Sequence, residues 1–90
     1  MVWTIEFTGP ARREFAKLDR QGANRILEFI NENLAKAENP RQWGKPLKGK
    51  LDNYWSYRIG DFRLLCTIED GRMVVIVVRI GNRREVYRKR

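Results

Sequence analysis

Residues 54–66 decide the fold, because their sequence, YWSYRIGDFRLLC, predicts two strands joined by a turn at Gly60-Asp61. A two-residue loop that begins with glycine is a favoured hairpin connection, since glycine adopts the positive φ that such turns need. This register pairs Ile59 with Phe62 and Arg58 with Arg63. Alternation along the two strands then gives one apolar face suited to a core, formed by Trp55, Tyr57, Ile59, Phe62, Leu64 and Cys66.

The opposite face of this hairpin carries two arginines directly across from each other. Its members are Tyr54, Ser56, Arg58, Arg63, Leu65 and Thr67. Like charges at opposite positions of a strand pair repel by roughly 0.2–1 kcal/mol. A protein can tolerate that repulsion at a site that receives an anion, so Arg58 and Arg63 predict a site for phosphate.

The first half of the chain predicts one strand and two helices. Residues 2–7 alternate between apolar and polar side chains as a strand does. Thr8 can cap the helix that follows, and Pro10 fits its first turn. Asp19 ends this helix or caps the next one, which is predicted over residues 21–38 by a stripe of apolar side chains at helical spacing.

The second half predicts a loop and three further strands. The loop covers residues 41–52, and the hairpin follows it. A turn at Asp70-Gly71 leads into residues 73–80, which are apolar on both faces. Two helices can cover only one face of the sheet, so we expect a partner on the other. The order β-α-α-β-β-β predicts an α+β fold over residues 1–90, a single domain with an antiparallel sheet packed on a helical hairpin.

The direction of Arg79 depends on the loop at Asp70-Gly71. A two-residue loop would turn Arg79 toward the helices, whereas a three-residue loop with a glycine bulge would turn it away. We expect Arg79 to face away, because an unpaired buried arginine is costly.

The composition predicts an anionic partner and argues against several kinds of site. The net charge is +8, and residues 46–90 hold eleven basic and five acidic side chains. Nucleic acid or an acidic protein fits such a charge, with simple solubility as the alternative. The chain has no histidine, the usual near-neutral acid–base group and a common metal ligand, so we expect no metal and no cofactor.

The lone cysteine and the hydropathy pattern place the chain in a cell compartment. Cys66 is the single cysteine and lies on the predicted core face, so we expect no disulfide, no catalytic thiol and a reducing cytoplasm. No apolar run has the length of a membrane span or the pattern of a signal peptide. We therefore expect no membrane partner.

Three segments, in this order and spacing, resemble the RelE toxins of the RelE/ParE toxin superfamily. They are residues 46–49, PLKG; residues 57–63, YRIGDFR; and residues 80–87, IGNRREVY. The resemblance covers essentially the whole chain. Arg83 followed by Glu85, Val86 and Tyr87 is similar to the ribonuclease branch, because the gyrase-directed ParE branch usually lacks that tyrosine.

This resemblance implies a ribosome-dependent messenger-RNA endonuclease in the cytoplasm, bound and neutralised by a RelB-type antitoxin in a hetero-oligomer. In that family the 2′-hydroxyl attacks the adjacent phosphate without a metal, leaving a 2′,3′-cyclic phosphate and a 5′-hydroxyl. Arg63, Arg83 and Tyr87 fall on positions that the family uses at its active site. The partners implied are the antitoxin, the ribosome and messenger RNA.

The chemistry of these side chains suits the implied reaction. A guanidinium donates two parallel hydrogen bonds to phosphoryl oxygens as their charge grows. Arg63 is the first choice for this role and Arg83 the second, with Arg58 assisting or holding a flanking phosphate. Tyr87 could take the proton of the 2′-hydroxyl, because nearby cations lower the pKa of a tyrosine. It could instead stack on a base or merely pack the last turn.

Further basic residues are predicted to bind the RNA backbone without reading its sequence. They are Arg41, Lys45, Lys48 and Lys50 from the loop, and Arg84 and Arg88 from the end of the chain. A solvated loop and a solvated chain end are the alternatives. We expect Trp43 to pack beneath the loop rather than to stack on a base.

One departure from the family concerns the strand before the turn. Better-known RelE members carry two lysines there, where this chain has Tyr54 and Ser56. This departure implies lower activity, a different role for Arg58 or the use of Lys48 and Lys50. The identity of the general acid is not assigned. A ParE-like inhibitor of DNA gyrase and a catalytically weak nucleic-acid-binding relative are therefore the alternative functions.

Overall fold

The computed structural model describes residues 2–47 and 53–82, which form two helices and a five-stranded sheet. The helices are α1 (Gly9–Ala16) and α2 (Arg20–Phe29). The strands are β1 (Thr4–Phe7), β2 (Lys45–Pro46), β3 (Trp55–Ile59), β4 (Phe62–Glu69) and β5 (Val74–Asn82). The α+β class and the predicted helix pair are confirmed.

Both helices begin where the capping residues predict. The Thr8 hydroxyl accepts a hydrogen bond from the Ala11 amide, and the Asp19 carboxylate accepts one from the Gly22 amide. Each cap satisfies an amide that has no partner within its helix. The predicted end of the second helix, at residue 38, is wrong. The α-helix α2 ends at Phe29, and a π-helical segment, Ile30–Leu34, follows it directly.

The sheet has the order β1-β5-β4-β3-β2 and is mixed rather than antiparallel. Strand β1 pairs with β5 in parallel, and the other neighbours are antiparallel. Parallel neighbours need a long connection, which the helices and the three middle strands supply here. The predicted loop also contains a strand, because Lys45 pairs with Ser56 and Pro46 with Trp55.

The core lies between one face of the sheet and the helices. Its buried members include Ala11, Ile26, Ile30 and Leu34 from the helical side and Tyr57, Leu64, Cys66, Val75 and Val77 from the sheet. Trp55 and Phe62 pack against this cluster, so the predicted apolar face of the hairpin is confirmed. We call the other side of the sheet the open face. Burial raises the pKa of the Cys66 thiol, in keeping with a packing role.

The expectation that Arg79 faces away from the helices is only partly right, because the register pairs Arg79 with Leu65 while its guanidinium contacts α1. Four residues separate Glu69 from its partner Val74, and a bulge follows where Leu65 pairs with Arg79 and Cys66 with Val77. The bulge adds one residue to β5, so the side chains after it point to the opposite face from the one that strict alternation would give. The Arg79 guanidinium then reaches Glu14 of α1, with 2.7 Å between Nη2 and Oε2.

No helix within residues 2–47 and 53–82 is both long enough and apolar enough to cross a membrane.

Candidate nucleic-acid interface

The turn between β3 and β4 sets the position of the two arginines. Gly60 has a φ of 58°, in the left-handed region that glycine adopts without strain. The register pairs Ile59 with Phe62 and Arg58 with Arg63, as predicted. Both arginines therefore lie on the open face, side by side across the ladder.

Ser56 contacts Arg63 within this hairpin. The Nη1 atom of Arg63 donates a hydrogen bond to the Ser56 hydroxyl oxygen over 3.1 Å. Ser56 is only 5% exposed and Arg63 is half-buried, whereas Arg58 is exposed. A buried hydroxyl on a rigid strand restricts the rotamers that the guanidinium can adopt. Ser56 therefore helps to orient Arg63, a role that sequence reasoning missed.

A cavity of about 290 Å³ brings the predicted catalytic residue Arg63 together with two predicted RNA-binding residues, Arg58 and Lys45. We call it the cationic groove, and its lining residues are Gln42, Trp43, Gly44, Lys45, Ser56, Arg58 and Arg63. Lys45 belongs to it because β2 places this lysine opposite Ser56. Within the described residues, no carboxylate forms an ion pair with Lys45 or Arg58. Their charges are thus available to an anionic ligand.

One wall of the groove is formed by a short 3₁₀ helix, Pro40–Trp43, which a buried side chain of β3 holds in place. The buried Tyr57 hydroxyl donates a hydrogen bond to the Pro40 carbonyl oxygen over 3.0 Å. Gly44 follows, and a Cβ there would lie 2.8 Å from the Tyr57 ring and 2.9 Å from the Ser56 carbonyl oxygen. The absence of a side chain at Gly44 therefore lets the chain run close against β3.

Arg41 does not line the groove, and its contact with phosphate stays a prediction. Its guanidinium binds the Asp70 carboxylate through two hydrogen bonds, of 3.0 and 2.7 Å, and lies 5.7 Å from the centre of the Trp55 ring. The hydrogen bonds to Asp70 raise the pKa of Arg41, and those from Arg41 lower the pKa of Asp70. The pair ties the 3₁₀ segment to the turn before β5.

The expectation for Trp43 is only partly right. Trp43 packs against Phe29, with the two ring centres 6.5 Å apart and the planes nearly perpendicular. Nevertheless, 46% of the residue is exposed, and it lines the groove. Its exposure depends on packing with distant residues, so the local sequence gave no signal for it.

The remaining predicted site residues lie outside the described residues. They are Arg83 and Tyr87 from the predicted active site, and Lys48, Lys50, Arg84 and Arg88 from the predicted RNA contacts. The description of β5 ends at Asn82, which pairs with Phe62, and Gly81 pairs with Arg63. Within the described residues, no group of three or more potential ligand side chains could hold a metal ion.

The described groove can bind and polarise a phosphodiester. Arg63 is oriented by Ser56, and Arg58 and Lys45 add two exposed cations that line the same groove. Guanidinium groups match phosphate oxygens in geometry and charge. Tyr57 is unsuited to proton transfer at neutral pH, because burial raises its pKa.

Comparison with known proteins identifies the family. A family model described as the ParE toxin of the type II toxin–antitoxin system parDE matches residues 5–87. The toxin RelG of Mycobacterium tuberculosis is 35% identical over 89 residues, which cover 99% of this chain and 100% of RelG. The chain belongs to the RelE/ParE family of type II toxins.

Two further comparisons show similarity to Rel toxins. The toxin RelE of M. tuberculosis is 33% identical over 84 residues, covering 93% of this toxin and 84% of that one. The structure of the M. tuberculosis toxin–antitoxin complex RelBE2 contains a similar chain, with a TM-score of 0.84 and 34% identity. That match covers 92% of this toxin and 100% of the other chain. The resemblance stated from the sequence motifs is confirmed.

Proposed function

We propose that this toxin is a ribosome-dependent endoribonuclease that cuts messenger RNA in the cytoplasm and so inhibits translation. The observation that carries the proposal is the cationic groove, where Arg63, oriented by Ser56, lies beside Arg58 and Lys45. The similarity to the toxins RelG and RelE supports it. The proposal treats residues 1–90 as one RelE-like toxin domain.

In the proposed reaction, a 2′-oxygen of the RNA attacks the adjacent phosphorus and the bond to the 5′-oxygen breaks. The products are a 2′,3′-cyclic phosphate and a 5′-hydroxyl, and no metal is required. Arg63 neutralises the charge that grows on the phosphoryl oxygens. Arg58 holds the same phosphate or its neighbour, and Lys45 holds a flanking one.

The rest of the proposed site comes from residues outside the described ranges. Arg83 supplies a second guanidinium, and Tyr87 either accepts the 2′-hydroxyl proton or stacks on a base. Lys48, Lys50, Arg84 and Arg88 bind RNA phosphates. No residue is assigned to protonate the leaving 5′-oxygen, because Tyr54 and Ser56 stand where better-known members of the family have lysines.

A translating bacterial extract tests the proposal directly. We expect the purified toxin to cut messenger RNA only while ribosomes are translating it, with 5′-hydroxyl ends mapped by primer extension. Arg63→Ala should strongly reduce the cuts, whereas Arg12→Ala, which removes an exposed arginine of α1, should leave them unchanged. Cutting of free RNA at the same rate would refute the dependence on the ribosome.

A second candidate function is inhibition of DNA gyrase, because the matching family model is named for ParE toxins. The same extract, supplied with gyrase and plasmid, separates the two. Accumulation of gyrase-cleaved DNA with intact message would favour the gyrase inhibitor. If neither cut message nor cleaved DNA accumulates while the toxin still binds RNA, the result would favour the catalytically weak relative. Ser56, at a position where family members have a lysine, suggests this alternative.

A RelB-like antitoxin is the proposed partner, in a hetero-oligomer. The open face combines the cations of the groove with the half-buried apolar residue Ile76, whereas Leu65, which the sequence also places on this face, is already buried. An acidic, amphipathic segment would complement both features. In the RelBE2 complex of M. tuberculosis, a chain similar to this toxin is bound to an antitoxin.

Co-purification with the product of the neighbouring gene tests this partner. Ile76→Asp puts a charge on the open face and should release the antitoxin. Leu27→Asp, which changes an exposed residue of α2, is the matched control and should retain it. Loss of binding only with Leu27→Asp would place the antitoxin on the helices and contradict the proposal.

A further inference from the structure

Trp43 is unusual among the large apolar side chains of the described residues. Three of these are exposed, namely Val2, Leu27 and Trp43. Of the three, Trp43 alone lines the cationic groove. An indole ring that served packing alone would gain most from complete burial, yet 46% of this residue remains in contact with solvent.

The ring is held by a chain of contacts that leads to the buried Tyr57. Trp43 lies nearly perpendicular to Phe29, at an interplanar angle of 84°. The centres of the Phe29 and Tyr57 rings are in turn 6.0 Å apart. The Tyr57 hydroxyl donates a hydrogen bond to the carbonyl oxygen of Pro40, three residues before Trp43. The position of the indole is therefore fixed before any ligand arrives, which reduces the entropy lost on binding.

The neighbours of Trp43 in the groove are cations. Lys45, Arg58 and Arg63 line the same cavity, whose volume of about 290 Å³ is near the lower end of the range for small-ligand pockets. A fixed aromatic ring beside cations is the combination with which proteins bind single-stranded nucleic acid, because the cations hold phosphates while a base stacks on the ring. A free anion such as inorganic phosphate would contact the cations but would have no base to stack on the indole ring.

We propose that Trp43 is the stacking platform for a nucleobase next to the phosphate that Arg58, Arg63 and Lys45 hold. The ligand is a nucleotide of single-stranded RNA, with purines preferred because their π-face is larger. This inference rests on the proposed function, since it assigns the base-binding part of the same groove. It gives the groove two halves, one for the phosphate and one for the base.

The test uses the full-length toxin and a 2′-O-methyl RNA pentanucleotide, which lacks the attacking hydroxyl and cannot be cut. We expect binding to quench the tryptophan fluorescence, and an abasic nucleotide at one position of the oligonucleotide to remove the quenching. Trp43→Leu should weaken binding by about five- to 150-fold, the range for loss of one base–aromatic stack. Trp43→Phe should bind nearly as well as the original chain but without the quenching.

Arg63→Ala provides the contrast, because it should weaken binding equally whether or not the abasic nucleotide is present. Circular dichroism and melting of each variant confirm that it is folded. Equal affinities for the original chain and folded Trp43→Leu, or no position at which an abasic nucleotide matters, would overturn the proposal. Loss of antitoxin binding by Trp43→Leu with unchanged RNA binding would also overturn it, in favour of a protein ligand.

The stacking role of Trp43 and the nuclease function can be disproved separately. The titration needs neither ribosomes nor cleavage, so a toxin that cuts no message can still show stacking at Trp43. If the toxin cuts ribosome-bound message in an Arg63-dependent way while Trp43→Leu binds RNA normally, the stacking role is wrong and the nuclease function stands.

Discussion

The guanidinium of Arg63 and the hydroxyl of Ser56 form a hydrogen bond of 3.1 Å between neighbouring strands. Ser56 lies opposite Leu65 in the ladder, so it is the diagonal neighbour of Arg63. The interaction orients a half-buried arginine beside an exposed one, Arg58. A site that must stabilise charge in a transition state gains from such orientation, because no reorganisation is needed during the reaction.

Ser56→Ala should slow cleavage of ribosome-bound message by about tenfold, as expected for loss of one hydrogen bond to a charged group. Ser56→Thr keeps the hydroxyl and should retain most of the activity. The measurement is the single-turnover rate at saturating toxin. An unchanged rate for Ser56→Ala would show that other contacts suffice to orient Arg63.

Tyr57→Phe should lower the free energy of unfolding by about 1–3 kcal/mol, because it leaves the Pro40 carbonyl oxygen buried without its donor. Urea denaturation measures this change. Tyr54→Phe is the matched control, since Tyr54 has no such buried bond among the described residues and should alter stability little. Equal stability of Tyr57→Phe and the original chain would mean that the hydroxyl does not anchor the 3₁₀ segment.

Asp70→Asn should destabilise the toxin at neutral pH but not in strong acid. Arg41 lowers the pKa of Asp70 in the folded chain, so the folded state binds this proton less readily than the unfolded one. The resulting stability is present above the unfolded pKa of about 3.9 and is lost as the pH falls through the lower, folded value.

Melting temperatures of Asp70→Asn and the original chain should therefore differ at neutral pH and converge at about pH 2. Glu28→Gln, which changes an exposed carboxylate of α2, should show no comparable difference. A difference for Asp70→Asn that is as large in acid as at neutral pH would rule out the ion pair as its cause.

Cys66 should react with thiol reagents only after the toxin unfolds. The side chain is buried in the core, and burial raises the pKa of its thiol, which reduces the fraction of reactive thiolate. We expect labelling at mildly alkaline pH to be about a thousandfold slower in buffer than in denaturing urea. Rapid labelling of the folded toxin would contradict the description of the core.

The hairpin could be predicted because its signals are local. Gly60 marks the turn, and the alternation on both sides of it fixes which residues face the core. The Ser56–Arg63 bond was also within reach, since the predicted register already made these residues diagonal neighbours.

The rest of the groove depends on contacts between distant residues. Alternation does not encode strand direction, so the parallel pairing of β1 with β5 was not predicted, and β2 is too short to show a pattern. Arg41 and Asp70 are 29 residues apart, and nothing local indicates that they pair. Trp43 owes its position to Phe29, in α2, and to Tyr57, in β3.

The most direct test of the central claim is the rate at which ribosome-bound messenger RNA is cut by Arg63 variants in a single turnover. We predict that Arg63→Ala reduces the rate by about 10²–10³-fold, and that Arg63→Lys recovers only part of it because lysine cannot form the two parallel hydrogen bonds. Arg12→Ala should cut at the original rate. Cleavage by folded Arg63→Ala at the rate of the original chain would contradict the account.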